Sequence, residues 1–544
     1  MTNATTLIGE GDYLFGRKTD LLSYWQELAD NFYVERADFT VTRNIGQDFA
    51  SNLTTGFPLL AARDLGSSLS AMLRPSNKEW FAITVDDEES LSFRDREWLE
   101  KASKRQREIM YDRAAQFTRA TKEADKDFVV FGQAVLQLTT NLNTNSLLYR
   151  TWHLRDVAWF EDETGQVSTV HRKWKPTITE LVKLFPDKVH AKLKERLAKE
   201  PYCTIECRHI VKPTESYNTD KKIRQPFVSV YIDVENGTIL EEVGQWDVGY
   251  IIPRWQTVSG SQYAYSPCAV VGLPDARLIQ AITLTLLEAG EKAVNPPLIA
   301  AEQAIRSDIS VFAGGVTYVD AEYDEKLGEV LRPITQDKTG LSFGLTLRDD
   351  IREMISQAFF LNKINLPPAV SGMTAYEVAQ RIQQYIRDVL PLFEPLETDY
   401  NGALCEMTFN RLMRMGAFGG AEDIPDALSG KDIKFKFTSP LTDALGREKG
   451  QQFLEAKALL AAAAEIDQGA AFTLNAREAL KDTLISIQTP AKWLRDDKEI
   501  DQLSDEENAK AQTAQMLAAA QQGAAAAKDL GAASQSFANT EMAL

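Results

Sequence analysis

Cysteine and histidine are scarce: four of each in 544 residues. Four cysteines in a chain of this length make no disulfide framework, and they suit a reducing compartment. None of the histidines, His153, His171, His190 and His209, stands in an H-E-x-x-H arrangement or beside an evident nucleophile. There is no G-x-x-x-x-G-K-[ST] loop, which a nucleotide-driven motor is expected to carry. The Gly314-Gly315 and Gly419-Gly420 pairs read as turns. Catalytic, cofactor-binding and metal-binding residues are therefore assigned to none, and no cofactor is expected. Positive charge is also short, with 60 Lys and Arg against 78 Asp and Glu and a formal net charge of −18. That argues against a firm grip on nucleic acid, which depends on cations displacing phosphate counterions. It leaves room for DNA that passes nearby without being held. The first residues carry no basic stretch followed by an apolar run, so no secretory signal is expected.

Two motifs tempt a chemical reading. Cys203-x3-Cys207-x-His209 has metal-like spacing, but Cys203, Ile205, Cys207, His209 and Val211 alternate as one face of a half-buried strand, and no second ligand pair accompanies them. The basic clusters Lys101–Arg107 and Arg172–Lys175 read as solvated faces.

What is present is ordinary soluble composition, 44% hydrophobic and 25% charged, in a 60.8 kDa chain long enough for two to four domains. The fold class expected is α+β, mainly α. Apolar spacing predicts helices over 19–36 and 58–73, the second rich in small residues (Ala61, Ala62, Gly66, Ser67, Ala71) that allow close contact. Trp80–Val85 reads as a strand, followed by helices over Arg94–Thr121 and Lys126–Thr139. Residues 147–250 alternate as β structure, with turns at Glu163–Gly165 and Asn236-Gly237, interrupted by a helix over Thr177–Lys199. Ile433–Phe437 is an alternating strand. Helices resume at Gly446–Glu465, Asn475–Ser486 and Ala491–Asp497, and the Ala- and Gln-rich tail past Gly523 reads as low complexity.

The stretch from Pro274 to Met415 organises the rest. A helix over Asp275–Val294, capped by Asp275, is apolar on almost every face, relieved only by Gln280, Thr283 and Thr285. Such a helix must be covered all round. At this length it is too short and too polar for a membrane span of about 20 mostly apolar residues. Two options remain, the centre of a large domain or the contact between copies of the chain.

Several segments, in order, carry a family resemblance. Ala61-Ala-Arg-Asp-Leu-Gly-Ser-Ser, continuing through Arg74-Pro75 to Trp80-Phe81, resembles the N-terminal signature of the head-to-tail connector, or portal, proteins of short-tailed bacteriophages. Ser266 to Pro297 is similar to that family's first stem helix and its approach. Thr374-Ala-Tyr-Glu-Val and Leu390-Pro-Leu-Phe-Glu-Pro-Leu396 resemble the start and body of its long helix, and the tail fits as well. The resemblance spans Leu21 to Trp493. A portal of the long-tailed type is a further option, which the Ala61–Phe81 signature and the chain length disfavour.

The resemblance implies a ring of twelve copies at one capsid vertex, a conduit for genome packaging and ejection. Its partners would be terminase, a tail adaptor, scaffold and major capsid protein, with double-stranded DNA passing through non-specifically and no membrane. The place is the virion, and host cytoplasm during assembly. The implied parts are an N-terminal arm (1–18), wing (19–273), first stem helix (274–295), clip (296–344) with β structure at Val316–Val319, and second stem helix (345–365). A channel loop (366–373), a long helix returning to the wing (374–445, kinked at Pro391 and Pro395), a crown (446–505) and a tail (506–544) follow. By position, Lys338, Arg348, Arg352 and Lys363 are candidates to touch DNA, with ion pairing between subunits or solvated faces as the alternative. Asp320, Glu322, Asp324 and Glu325 are candidates to dock a clip partner. Leu278, Ile282 and Leu286 are candidates to pack the ring, and an acidic wall would let DNA slide without sticking. The competing reading is a soluble intracellular enzyme or scaffold of unassigned chemistry.

Overall fold

The computed structural model describes residues 3–300 apart from 45, 52, 77, 87–90, 142–145 and 218–222, then 331–333, 339–364, 396–437 apart from 429, 453–462, 475–486 and most of 500–516, with isolated positions between. The chain divides into two compact units. The first holds Met1–Trp80, Gln106–Met415 and Ser439–Leu441; the second holds Phe81–Arg105, Gly416–Thr438 and Thr442–Leu544.

The first unit opens with a helix that the sequence pattern did not reveal, α1 (Ala4–Gly16). It is followed by α2 (Thr19–Phe32) and α3 (Phe57–Leu73), close to expectation. The helix read over Arg94–Thr121 is broken. It ends as α4 at Met110 and restarts as α5 (Phe117–Phe131). Asp112 accepts a hydrogen bond from the Ala114 amide at 2.7 Å, and Gln116 adopts the left-handed conformation at φ 54°. An aspartate that caps its own turn competes with the helix for the backbone. The helix read over Lys126–Thr139 is also corrected. Gly132, at φ 74°, terminates α5, and Leu136–Asn141 is strand β2. A Cβ on Gly132 would lie 2.1 Å from the Tyr265 carbonyl carbon, so this glycine serves both the turn and a close backbone approach.

In the β region, β2 pairs antiparallel with β3 (Ser146–Thr151) and with the short β9 (Tyr250–Ile251). A separate antiparallel sheet runs in chain order through β4 (Val157–Glu161), β5 (Val167–Trp174), β6 (Cys207–Pro213), β7 (Phe227–Asp233) and β8 (Thr238–Gln245). The helix expected over Thr177–Lys199 is two short helices, α6 (Ile178–Leu184) and α7 (Ala191–Leu197). The break follows from Phe185-Pro186, because a residue before proline is pushed out of helical geometry.

Strand β6 is buried on both faces rather than one. Ile210 packs with Ala4 and Leu7 of α1 on one side, and Cys207 packs with Ile178, Leu181 and Leu193 of α6 and α7 on the other. His209 is hydrogen-bonded through both ring nitrogens, to Tyr250 Oη at 2.6 Å and Ser229 Oγ at 2.9 Å, and stacks on Tyr231 at 4.2 Å. Both nitrogens are thereby committed to the sheet. Burial pushes its pKa well below the usual histidine range.

Helix α1 is fixed to the sheet by charge as well as apolar contact. Arg208 donates to Asp12 at 2.5 Å and Lys212 to Glu10 at 2.9 Å. Gly11 leaves space for the Arg208 and His171 side chains, since a Cβ there would lie 2.6 Å from Arg208 Nη1. Just beyond α1, the buried Lys18 donates from Nζ to the carbonyls of Leu154, Arg155 and Val157 at 2.8, 3.0 and 2.6 Å.

The helical layer centres on Trp25, fully buried, with Phe39, Phe131 and Tyr263 ring centroids at 5.6, 6.3 and 6.0 Å. Further along the chain, a π-helical turn (Leu396–Gly402) leads into α11 (Ala403–Arg414). This helix is tied to the three-stranded sheet by Tyr149 Oη with Thr408 Oγ1 at 2.8 Å and by Arg411 to the Leu138 carbonyl at 2.5 Å, and Arg411 also donates to Asp247, in the turn before β9, at 2.7 Å.

In the second unit, β1 (Phe81–Val85) pairs antiparallel with β12 (Ile433–Phe437) as a two-stranded ribbon. The start of α4 (Phe93–Met110) is capped by reciprocal Ser92–Asp95 hydrogen bonds. Ser103 on that helix accepts from the Ile83 amide at 2.8 Å. Helices also cover 453–462 and Ala476–Ser486. The helix expected at Ala491–Asp497 lies outside the described residues.

Candidate functional site

The apolar helix is α8 (Pro267–Val294), 28 residues long, and it begins at Pro267 rather than Asp275. Ser266 is its cap. The Ser266 hydroxyl accepts from the Ala269 amide at 3.1 Å and donates to the Val129 carbonyl at 2.5 Å. Proline follows at the first helical position, where a missing N–H costs nothing. Pro274 lies inside the helix without ending it. At 28 residues the helix is also not too short for a membrane span, contrary to the expectation for Asp275–Val294. Among the described residues α8 is the one helix long and apolar enough to cross a bilayer. Its first part, Cys268, Ala269, Gly272, Leu273, Ala276 and Ile279, is buried in protein, and Arg277 pairs with Glu27 of α2 at 2.6 Å.

Two strands, β10 (Leu298–Ala300) and β11 (Leu331–Pro333), pair antiparallel beyond α8. The chain returns as α9 (Thr339–Ala358), followed by a short α10 (Leu361–Ile364). Glycines fix the α8–α9 approach at two points. Gly272 faces Phe359, and Gly344 faces Leu286, so the helices run antiparallel. At the first point a core forms from Phe359, Phe32 and Ile355, with the two phenylalanine rings 5.1 Å apart.

Away from that core the pair is uncovered. Leu284 and Leu287 are 48% and 56% exposed, and Val294 is 87% exposed; on α9, Phe343 is 71% and Met354 45% exposed. Full burial along α8 thus ends at Ile279, and one face is open over its whole length, since Val270 and Val271 are also 46% and 60% exposed.

Gln280 sits at the transition. Its Oε1 accepts from the Thr54 amide at 2.8 Å, the Thr55 amide at 3.0 Å and the Thr54 hydroxyl at 2.7 Å, and its Nε2 donates to the Thr55 carbonyl at 2.9 Å. Sequence reading noted Gln280 as a break in an apolar run. A half-buried amide in such a run needs a partner, and that need was the available signal.

The structure places the sequence candidates unevenly. Leu278 is 44% exposed, while Ile282 and Leu286 are half-buried within the chain, Leu286 against Gly344. Arg348 donates to Asp349 at 2.7 Å, and Arg352 lies 3.7 Å from the same carboxylate and 5.5 Å from the Phe57 ring centroid. One carboxylate therefore gathers both cations. Lys363 lies on α10. Lys338, Asp320, Glu322, Asp324, Glu325, the Val316–Val319 segment apart from Tyr318, the 366–373 loop and Pro391 and Pro395 lie outside the described residues. Among the described residues no cluster of His, Cys, Asp and Glu could hold a metal ion.

Against known proteins, residues 4–494 match the family described as bacteriophage head to tail connecting protein. The chain is 25% identical over 456 residues to a probable portal protein of Bordetella phage BPP-1, covering 81% of this chain and 80% of that one. It is 22% identical over 460 residues to the portal protein of Salmonella phage epsilon15, with the same two coverages. Among solved structures, the neck of an empty GTA particle aligns at a TM-score of 0.36 and 11% identity, covering 80% of this chain and 90% of that one, too low a score to bear on the fold.

Proposed function

The chain belongs to the bacteriophage head to tail connecting protein family, and on that premise we propose that it is a viral portal: a closed ring of identical copies at one capsid vertex, through which the genome is packaged and released. In this reading α8 and α9 are the stem, the residues between them from 296 the clip, 366–373 a channel loop, 374–445 the return to the wing and 446–505 the crown. Twelve copies, docking of terminase and then a tail adaptor through Asp320, Glu322, Asp324 and Glu325, contact with scaffold and major capsid protein, and residence in host cytoplasm before assembly belong to the same proposal. The work of such a ring is mechanical, and no catalytic step is assigned to it.

The observation that carries the reading is the uncovered apolar half of the α8–α9 pair. Burying a Leu or Phe side chain contributes on the order of 1.5–3 kcal/mol. Leu284, Leu287 and Phe343, 48%, 56% and 71% exposed, therefore represent on the order of 3–5 kcal/mol per copy that a neighbour could supply and the isolated chain does not. An acidic subunit suits the conduit, because like charge repels phosphate. Lys338, Arg348, Arg352 and Lys363 remain the proposed transient contacts to DNA, with Asp349 tempering two of them.

Charge at Ile282 or Leu286, half-buried within the chain, would disturb the helix pair itself, so the exposed side chains test the ring contact. The double variant Leu287→Asp, Phe343→Asp is expected to remain folded, with unchanged circular dichroism, and to run as a monomer in light scattering while the parent forms large closed rings. Rings of unchanged mass and yield in that variant would refute the assignment.

A further inference from the structure

The α8–α9 pair shows apolar side chains on two opposite sides, and contacts within the chain tell the sides apart. Gln280 of α8 reaches the Thr54 and Thr55 backbone, and Arg352 of α9 lies 5.5 Å from the Phe57 ring centroid. Both side chains therefore point to the side on which the lead-in to α3 runs. Leu284 and Leu287 follow Gln280 by four and seven residues, and Leu345 precedes Arg352 by seven. Residues at these spacings share one face of a helix. All three leucines thus lie on the α3 side, just past the chain's own cover, and all three are exposed, Leu345 by 44%.

Phe343 stands two residues before Leu345, about 200° around the helix at 3.6 residues per turn. It points to the opposite side, where it is largely exposed. Leu278, two residues before Gln280, is turned the same way on α8 and is also exposed. Height along the pair is fixed by Gly344, where an added Cβ would lie 2.7 Å from Leu286 Cδ2. Counted from that contact in an antiparallel pair, Phe343 is level with Leu287, and Leu345 with Thr285. At 1.5 Å rise per residue, Phe343 and the three leucines fall within about 5 Å of one another along the pair, on opposite sides of it.

A two-fold contact between like faces would bury one of these sides and leave the other in water. A contact between unlike faces, repeated by rotation, buries both in every copy, and rotation without rise sets equal heights opposite each other. We propose that the copies dock in one sense only, the Phe343 side of one against the α3 side of the next, with the Phe343 ring seated among Leu284, Leu287 and Leu345 of the neighbour. An aromatic side chain entering a recess of leucines is the knob-in-hole contact that packed helices make, and aromatic residues are enriched in interface cores. This inference rests on the ring reading above and specifies which surface of the neighbour covers which side of the stem.

The test is oxidative cross-linking of the assembled full-length protein in a Cys203→Ser background, in which the remaining native cysteines are buried. Phe343→Cys and Leu287→Cys in one chain are expected to give a ladder of covalent oligomers reaching the whole ring, since each chain then bonds to two neighbours. Within one chain the two positions face opposite ways, which a disulfide cannot join. Either cysteine alone is expected to run as a monomer on denaturing gels. Rings that assemble without a ladder would overturn this pairing and leave the ring reading standing. Dimers from either cysteine alone would reveal contact of like faces and overturn it too. A Cys203→Ser parent that never forms rings would overturn the ring reading and this inference with it. Should the double variant not assemble, p-benzoylphenylalanine in place of Phe343 keeps an aromatic side chain there. On irradiation it is expected to attach to the peptide 278–292 of another chain, and adducts that never include that peptide would overturn the pairing.

Discussion

Replacing Gln280 with leucine keeps the volume on α8 and removes its four side-chain hydrogen bonds to Thr54 and Thr55, leaving only that from Thr54 Oγ1 to the residue 280 backbone carbonyl at 2.8 Å. Three of these are acceptances at 2.7–3.0 Å and one is a donation at 2.9 Å. A hydrogen bond contributes about 0.5–1.5 kcal/mol net. Thr54 and Thr55 are half-buried, so water recovers part of the loss and the lower end applies, about 2 kcal/mol in all. That corresponds to about 30-fold, since about 1.4 kcal/mol is tenfold. The loss is local. The segment before α3 should open while the Trp25 core holds, so the thermal midpoint should move little. Amide hydrogen exchange resolves this: Thr54 and Thr55 should lose about 30-fold in protection, and amides of α5 should be unchanged. Protection at Thr54 and Thr55 within twofold of the parent would refute the clamp. An equal loss throughout the first unit would show that Gln280 stabilises the whole core rather than one segment.

Three further outcomes follow from the packing. Gly132→Ala combines a left-handed φ of 74° with a Cβ 2.1 Å from the Tyr265 carbonyl carbon, so it should destabilise by at least about 3 kcal/mol and yield little soluble protein. Glu10 lies 3.8 Å from His171 Nε2 and accepts from Lys212 at 2.9 Å, and together these outweigh burial and lower its pKa from 4.5 to about 2. Its contribution is therefore fully present above pH 4.5 and lost as pH falls toward 2, so the stability gap between parent and Glu10→Gln, followed by urea denaturation, should be flat from pH 7 to 5 and close below that. Iodoacetamide should label Cys203 in the native protein and spare Cys207, Cys268 and Cys405, which are buried and whose thiols are pushed up by desolvation, Cys207 to about 12.

Much of the fold was legible where the pattern was local. Helices α2 and α3, the strand ribbon of Phe81–Val85 and Ile433–Phe437, and the turn at Asn236-Gly237 follow from spacing and turn residues alone. The failures share a cause, a boundary set by tertiary contact or by a single residue inside a helical pattern. Asp112 turns its side chain onto its own backbone, Gly132 yields to the Tyr265–Ser266 backbone, and Pro186 splits α6 from α7. Pro274 misled in the opposite sense, because Ser266-Pro267 was the stronger start signal and a proline after two turns was tolerated. Helix α1 was missed because Gly9 and Gly11 dilute its Leu7, Leu14 and Phe15 face, and Gly11 is required by Arg208 and His171 from strands far along the chain.

The apolar helix itself was legible. Its first part supplies domain core, and contact between copies is what is proposed for the remainder. No pattern within one chain could mark the change at Gln280, because the partner residues Thr54 and Thr55 lie more than two hundred positions away.

The central claim is that copies of this chain close into a ring through the exposed half of α8 and α9. A ring-averaged density map of the assembled protein at side-chain resolution tests it most directly. The account predicts a closed ring in which Leu284, Leu287 and Phe343 of each copy are covered by the next. A ring whose contacts lie elsewhere, with those three side chains facing solvent, would contradict it.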